Sequence, residues 1–342
     1  YKACLDLLMD TDEVDSVMVL HIEVAPGTSG DVATAFQEAE IKHRGKKTLL
    51  SVFMQSSGVP EQLSKGEAKI PSYLFPEPAA RALSRAVDYG DWRNRPTGEI
   101  RAFDDIDYEA ADAVLEQVCG RSNDEGGWLE PDEVERLLGA FGIPPAVSDV
   151  ATSSDEAVAI AGKIGGEVVL KVLSPSALHK SDIGGVLLGV SGEDAVREGY
   201  AKVTGVVDDA EGVLVQEYIP GGHEVLIGTS EDPNFGPMIG FGLGGVFVEL
   251  IGDVAFRLHP LTDLDIDEMF AEVKSARLLE GYRGGDPGDV PALKETLARV
   301  SALTDYLPEI VEMDLNPVKV LAPGKGVRIV DARLRCKPVQ TA

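Results

Sequence analysis

The chain has 342 residues, a length that suits two or three domains, and 44% of them are hydrophobic, enough to bury sizeable cores. Its 31 Lys and Arg stand against 58 Asp and Glu, a formal net charge of −27. That balance argues against nucleic acid or an anionic membrane as partner, since both require basic patches. No apolar run reaches the roughly 18 residues of a membrane span, and the start lacks a charged segment followed by an apolar one, so neither a transmembrane helix nor a signal peptide is expected. The chain begins at Tyr1 rather than Met, and is expected to be a fragment of something longer. Its three cysteines, Cys4, Cys119 and Cys336, are far apart in sequence and fit neither a metal site nor a disulfide framework, so a reducing cytoplasm is the expected compartment. The acids are spread along the chain rather than gathered in a tail, as in a solubilising surface.

Residues 1–94 read as an α/β unit. A helical stub over Tyr1–Met9 precedes a buried strand at Val14–Val24, VDSVMVLHIEV. Helical spacing over Ser29–Glu40, a second strand at Thr48–Met54, a short helix near Glu61–Lys65 and a third strand at Ile70–Phe75 follow. Pro76–Arg93 is an amphipathic helix with Ala79, Ala82, Leu83, Ala86 and Val87 on one face. Strands alternating with helices predict a parallel sheet covered on both faces. Residues 95–127 are polar, with one helix around Tyr108–Cys119 and a SNDEGG loop, and read as a linker. Pro131–Gly142 is a helix with an acidic start and a glycine end. Ser153–Ile164 is another, opened by cap residues.

The next stretch, Lys171–Val186, is KVLSPSALHKSDIGGV. It reads as a strand ending in Lys171-Val172-Leu173, a polar loop, and a return to an apolar strand at Val186. A neutral imidazole is a nucleophile near pH 7, so His179 suits phosphoryl relay, although on chemistry alone a solvated loop histidine competes. Extended at about 3.3–3.6 Å per residue, the loop from Ser174 to Gly185 could reach roughly 40 Å, with Gly184-Gly185 as a hinge.

The pattern SP-x-x-x-HKSD-x-GGV resembles the loop in the ATP-grasp half of ADP-forming (NDP-forming) acyl-CoA synthetases of the acetate–CoA ligase type. The resemblance implies that His179 is a phosphohistidine carrying phosphate between the nucleotide and acyl-CoA sites. VDSVMV, IPSYLF and FPEPAARALSRAVDYGDW resemble the flavodoxin-like domain of the same enzymes, and WLEPDEVERLLGAFGIP resembles the opening of their ATP-grasp domain. Together the matches run almost unbroken from about residue 14 to residue 336. His21 and His43 match no catalytic position and are expected to be structural or solvated.

By the same resemblance, Lys171 is the strand lysine on the phosphates, although a strand-end lysine also snorkels to solvent. In Val213–Gly228, VLVQEYIPGGHEVLIG, Glu217 lies where the hinge meets the adenine amino group, and Glu224 resembles the glutamate near the phosphates. Phe241–Glu249, FGLGGVFVE, is a glycine-rich loop entering a strand; Gly244 and Gly245 suit close approach of backbone N–H groups to phosphate. Glu249, Asp253 and Arg257 line up with a VE…D…FR pattern, with Arg257 as a phosphate contact or a surface ion pair. Leu278–Gly284 resembles the family's LL-x-GYRG, in which Arg283 contacts phosphate or fixes the loop. Pro308–Val320 and Val327–Arg333 read as the last two strands. Asn316 and Asp331 match the metal pair of the E-x-D-x-NP and VDAR motifs, with Glu312 and Asp314 on the same strand face as Asn316.

The expected architecture is therefore α/β: a flavodoxin-like parallel-sheet domain at 1–94, a linker at 95–127, and a two-lobed α+β ATP-grasp domain at 128–342. The expected function is the nucleotide-binding and phosphoryl-relay part of an ADP-forming acyl-CoA synthetase, acyl-CoA + ADP + phosphate ⇌ carboxylic acid + CoA + ATP. ATP or ADP, phosphate and Mg²⁺ are the expected ligands. CoA and the acid are expected on a missing N-terminal half or a partner subunit, and the protein is expected to be an oligomer. Two alternatives remain open on sequence: a nucleotide-sensing regulatory module, as in relatives fused to a lysine acetyltransferase, and an ATP-grasp ligase that makes an acyl-phosphate directly without His179.

Overall fold

A computed structural model describes residues 1–24, 27–121, 126–175, 183–244 and 252–337. The chain divides into two compact units, Tyr1–Pro96 and Thr97–Ala342.

In the first unit, strands β1 (Ser16–Ile22), β2 (Thr48–Met54) and β3 (Ser72–Tyr73) form a parallel sheet in that order. Helices α1 (Lys2–Asp10) and α2 (Thr28–Lys42) cover one face. Leu5, Met9, Phe36, Leu49 and Phe53 pack together there, because period-two alternation sends Val17, Leu49 and Phe53 to the same side. After the short α3 (Gln62–Lys65), α4 (Pro76–Asn94) lies over β2 and β3 on the other face. That leaves the same face of β1 open, with Leu20 45%, Ile22 59% and, beyond the strand, Val24 92% exposed. Strand β3 is shorter than the sequence suggests, because Pro71 has no N–H to give to a ladder. Both histidines expected to be structural are buried. His21 lies between the Tyr1 hydroxyl and Ser29 Oγ, each at 3.2 Å, and His43 Nε2 sits 2.8 Å from an Asp6 carboxylate oxygen.

The second unit holds two sheets, both antiparallel. The larger has the order β11-β10-β9-β12-β14-β4, with β13 pairing on β12; the smaller is β5-β8-β6-β7. The small sheet joins β5 (Ser148–Ala151), β6 (Val168–Leu173), β7 (Val186–Val190) and β8 (Gly212–Glu217), and packs under α7 (Ser154–Ile164) and α8 (Glu193–Thr204). The large sheet joins β4 (Gly127–Trp128), β9 (His223–Asp232), β10 (Gly236–Leu243), β11 (Val254–Leu258), β12 (Ile310–Val320), β13 (Val327–Ile329) and β14 (Ala332–Cys336). Its core is closed by α5 (Tyr108–Arg121), α6 (Pro131–Ala140), α9 (Asp263–Glu272) and α10 (Val290–Tyr306).

The stretch read as a linker, 95–127, is largely built into this unit. Ala111, Val114 and Val118 of α5 are buried in the large core. Upstream, the Glu99 N–H donates to Asp263, and Arg299 of α10 holds the Asp105 carboxylate with Nη1 at 3.1 Å and Nη2 at 2.8 Å. The same guanidinium donates to the Phe141 carbonyl at 2.9 Å and sits 4.3 Å from the centre of the Phe103 ring. Gly142, at φ +66°, is where a Cβ would collide with it. Polar composition concealed a segment that buries Ile106, Ala111, Val114 and Val118 in the large core, although Ile100 and Tyr108 stay exposed.

Arg299→Met should therefore destabilise the second unit. The residue is 8% exposed, so removing it strands the Phe141 carbonyl and two carboxylates. Those carboxylates reach water, so the cost is discounted from a fully buried pair to about 2–3 kcal/mol. The urea midpoint at neutral pH measures it, and an unchanged midpoint would contradict this account of how the segment is held.

Candidate functional site

Lys171 is the starting point. β6 is a central strand covered on both faces, and Val168 through Val172 are all buried. Lys171 is 7% exposed and does not run out to solvent. Its Nζ instead crosses to the large sheet and donates to the Val330 carbonyl at 2.9 Å.

That carbonyl is available because the strand expected over Val327–Arg333 is broken. β13 ends at Ile329 and β14 begins at Ala332. The cause lies on the opposite strand, where Pro317 has no N–H for the ladder. The Asn316 N–H reaches the Asp331 carbonyl at 3.0 Å, and the Pro317 carbonyl accepts from the Val330 N–H at 3.0 Å. The break sets Val330 and Asp331 against the Asn316-Pro317 step, so Lys171 of β6 and Asn316 of β12 meet the Val330-Asp331 segment between β13 and β14.

Alternation along β12 buries Met313 and Leu315 and turns Glu312, Asp314 and Asn316 outward, as expected from sequence. The Asp314 carboxyl is held above its ordinary pKa, first because packing strips water from it although the residue reaches the surface, then by the Asp331 carboxylate nearby; Arg333 opposes the shift. A divalent cation would relieve this crowding of negative charge. Among the described residues, no three His, Cys, Asp or Glu side chains form a complete metal cage. Mg²⁺ requires none, since it usually takes one or two protein oxygens and fills its octahedron with phosphate and water.

A cleft opens between the sheets, lined in part by Pro145, Ser148, Leu214, Gln216, Val330 and Asp331. Gln216 is 4% exposed, and its buried Oε1 has no hydrogen-bond partner among the described residues. Such an orphan costs about 1–3 kcal/mol unless something fills it. The one sequence signal for this residue is an amide inside the apolar strand Val213–Gln216, directly before Glu217. Glu217 itself ends β8 and is fixed twice to Val147, its carboxylate accepting that N–H at 2.9 Å and its own N–H donating to that carbonyl at 2.8 Å.

Further along the large sheet, Glu224 pairs with Lys319 at 2.9 Å, its cross-strand neighbour. The Gly244 N–H donates to the Glu224 carbonyl at 2.8 Å. A Cβ at Gly244 would lie 3.0 Å from the Val225 backbone, so only glycine fits this approach comfortably. Arg257 is occupied as an ion pair. Glu272 at 2.9 Å and Glu268 at 3.5 Å, one turn apart on α9, take its guanidinium. It sits on β11, three strands from β12, or roughly 14 Å at about 4.8 Å per strand, and is not brought to Lys171. Asp253 accepts from the N–H groups of Lys274 and Ser275 and so caps the 3₁₀ turn that follows. Arg283 stacks on Tyr282 with its backbone at φ 55°. His179, Gly245 and Glu249 lie outside the described residues.

A family model for the ATP-grasp domain matches residues 121–336. The 4-hydroxybutyrate–CoA ligase [ADP-forming] of Nitrosopumilus maritimus is 36% identical over 302 residues, covering 86% of this chain and 43% of that protein. The chain thus spans less than half the length of that relative. The acetate–CoA ligase [ADP-forming] II subunit beta of Pyrococcus furiosus is 41% identical over 212 residues, covering 60% of this chain and 90% of the subunit. Among solved structures, the dinucleotide-forming acetyl-coenzyme A synthetase 1 of Ca. Korarchaeum cryptofilum, in complex with coenzyme A and Mg-AMPPCP and with a phosphohistidine segment pointing towards the nucleotide site, is 40% identical. It has a TM-score of 0.58, and the match covers 66% of this chain and all of the compared one.

Proposed function

The chain belongs to the ATP-grasp family, among the ADP-forming acid–CoA ligases, and on that premise we propose that it is the nucleotide-binding and phosphoryl-relay part of such an enzyme. The full reaction is acyl-CoA + ADP + phosphate ⇌ carboxylic acid + CoA + ATP, with the CoA and acid sites supplied by a further half or a partner subunit.

The observation that carries this reading is Lys171, buried between two sheets with Nζ on the Val330 carbonyl, next to Asp331 and Asn316. A buried ammonium beside an outward-facing acidic strand suits a ligand that brings both anionic oxygens and a cation. Lys171 would hold phosphate oxygens. Asn316 and Asp331 would hold Mg²⁺, which supplies charge neutralisation when bound. The base would enter the cleft beside Glu217, and the orphan Gln216 Oε1 would accept from an amino group of the ligand. Glu224 and the backbone at Gly244, Gly245 and Glu249 would line the phosphate side. His179 would take the phosphoryl group and carry it to the acyl site. Arg257, held by two glutamates, is left as a structural ion pair.

Titration calorimetry with Mg-ADP tests the proposal directly. Binding at one site is expected, and nucleotide at 100 times Kd should raise Tm by roughly 5–10 °C through mass action. No heat at millimolar nucleotide would overturn it.

A further inference from the structure

Cys119 and Cys336 are 217 residues apart in sequence, yet their sulfur atoms lie 3.1 Å from one another. Cys119 sits in the last turns of α5 and is half-buried; Cys336 ends β14 and is fully buried. Both ends are well held. Arg121, two residues past Cys119, bonds the Glu133 carboxylate and the Trp128 carbonyl, and the Leu129 N–H donates to the Leu334 carbonyl at 3.0 Å. Cys336 pairs in register with Gly127 of β4. Neither thiol belongs to the cleft around Lys171, since Cys336 is at the far end of β14 from Asp331.

We propose that Cys119 and Cys336 are a redox modification site, converted to an intramolecular disulfide by a small-molecule disulfide. The half-buried Cys119 reacts first: as thiolate it attacks the oxidant, forms a mixed disulfide and releases one small thiol. Cys336 sulfur then displaces the second small thiol from Cys119. Two protein thiols and one disulfide become one protein disulfide and two small thiols, so the two electrons and two protons pass to the oxidant. Burial, then the bond with Cys119, pushes the Cys336 thiol up to about 12, which leaves the first attack to Cys119; Cys336 gives its proton to solvent as it attacks the adjacent mixed disulfide, helped by the 3.1 Å separation rather than by its acidity. The bond would close almost the whole second unit into a single covalent loop. Its effect is to stabilise that unit by restricting its unfolded state.

The test is to incubate the full chain, natively folded, with oxidised glutathione and map its peptides without reduction. The expected product is a Cys119–Cys336 linkage, with the protein lighter by two hydrogens and the Tm higher by roughly 5–15 °C. Cys119→Ser and Cys336→Ser should each lose the oxidant-dependent shift while keeping the parent's Tm in reductant to within a few degrees. Cys4→Ser should behave as the parent. If Cys336→Ser fails to fold, the Cys119→Ser protein and the parent's peptide map still decide. A map that finds only glutathione adducts or linkages through Cys4, or a linked protein whose Tm does not rise, would overturn the proposal.

Discussion

His179→Ala should abolish transfer of phosphate from γ-labelled Mg-ATP to the protein while leaving nucleotide binding near normal. Imidazole needs no base to become a nucleophile, because its neutral ring already presents a lone pair. Covalent relay splits one distant transfer into two short ones. The label should be acid-labile and base-stable, and ADP should remove it. The other four histidines serve as internal controls, each with an observed partner. His21 is bonded to Tyr1 and Ser29, and His43 to Asp6; His223 meets the Asp286 carbonyl at 2.7 Å, and His259 meets Asp305 at 3.2 Å. Substituting any of them should leave labelling intact. If His179→Ala takes up label like the parent, the direct acyl-phosphate route becomes the better reading.

The second large effect is expected at Lys171. Lys171→Met keeps much of the buried apolar stem but removes the ammonium from the Val330 carbonyl and from any phosphate. A hydrogen bond to a charged group contributes about 1.5–3 kcal/mol, so Kd for Mg-ADP should rise by about 10- to 150-fold. The substitution also leaves Val330 without this donor, so some stability is lost as well. A urea titration without nucleotide separates the two losses. Lys171→Arg would keep the charge but not the point geometry, and should recover stability better than affinity. Unchanged affinity in Lys171→Met would remove Lys171 from the phosphate site.

Lys171, Asn316 and Asp331 could be singled out in the sequence because each sits in a motif that resembles the family's. Their convergence could not. VRIVDAR contains neither glycine nor proline and reads as one strand; the interruption at Val330-Asp331 is imposed by Pro317, which lies on another strand. Gln216 was hidden because a buried amide becomes informative only when its partner is seen to be missing. Arg257 had two readings, and its engagement by Glu268 and Glu272 depends on how α9 sits against β11. Thr48–Met54 matched its strand residue for residue, as an apolar run with clear boundaries should. The thiol pair is at the opposite extreme, since no local pattern reports a contact across 217 residues.

The uncovered side of β1 bears on how the protein behaves in concentrated solution. Among the described residues β1 has a hydrogen-bonded neighbour on one side only, and Leu20 and Ile22 stand beside that free edge. Such an edge is a template on which further chains can assemble. Opposing such assembly is the charge of −27 that all copies share. That repulsion reaches about 10 Å at 0.1 M ionic strength and only about 3 Å at 1 M. Added salt should therefore bring on clustering, and the second virial coefficient from light scattering should turn negative, unless Leu20 and Ile22 are replaced by lysine.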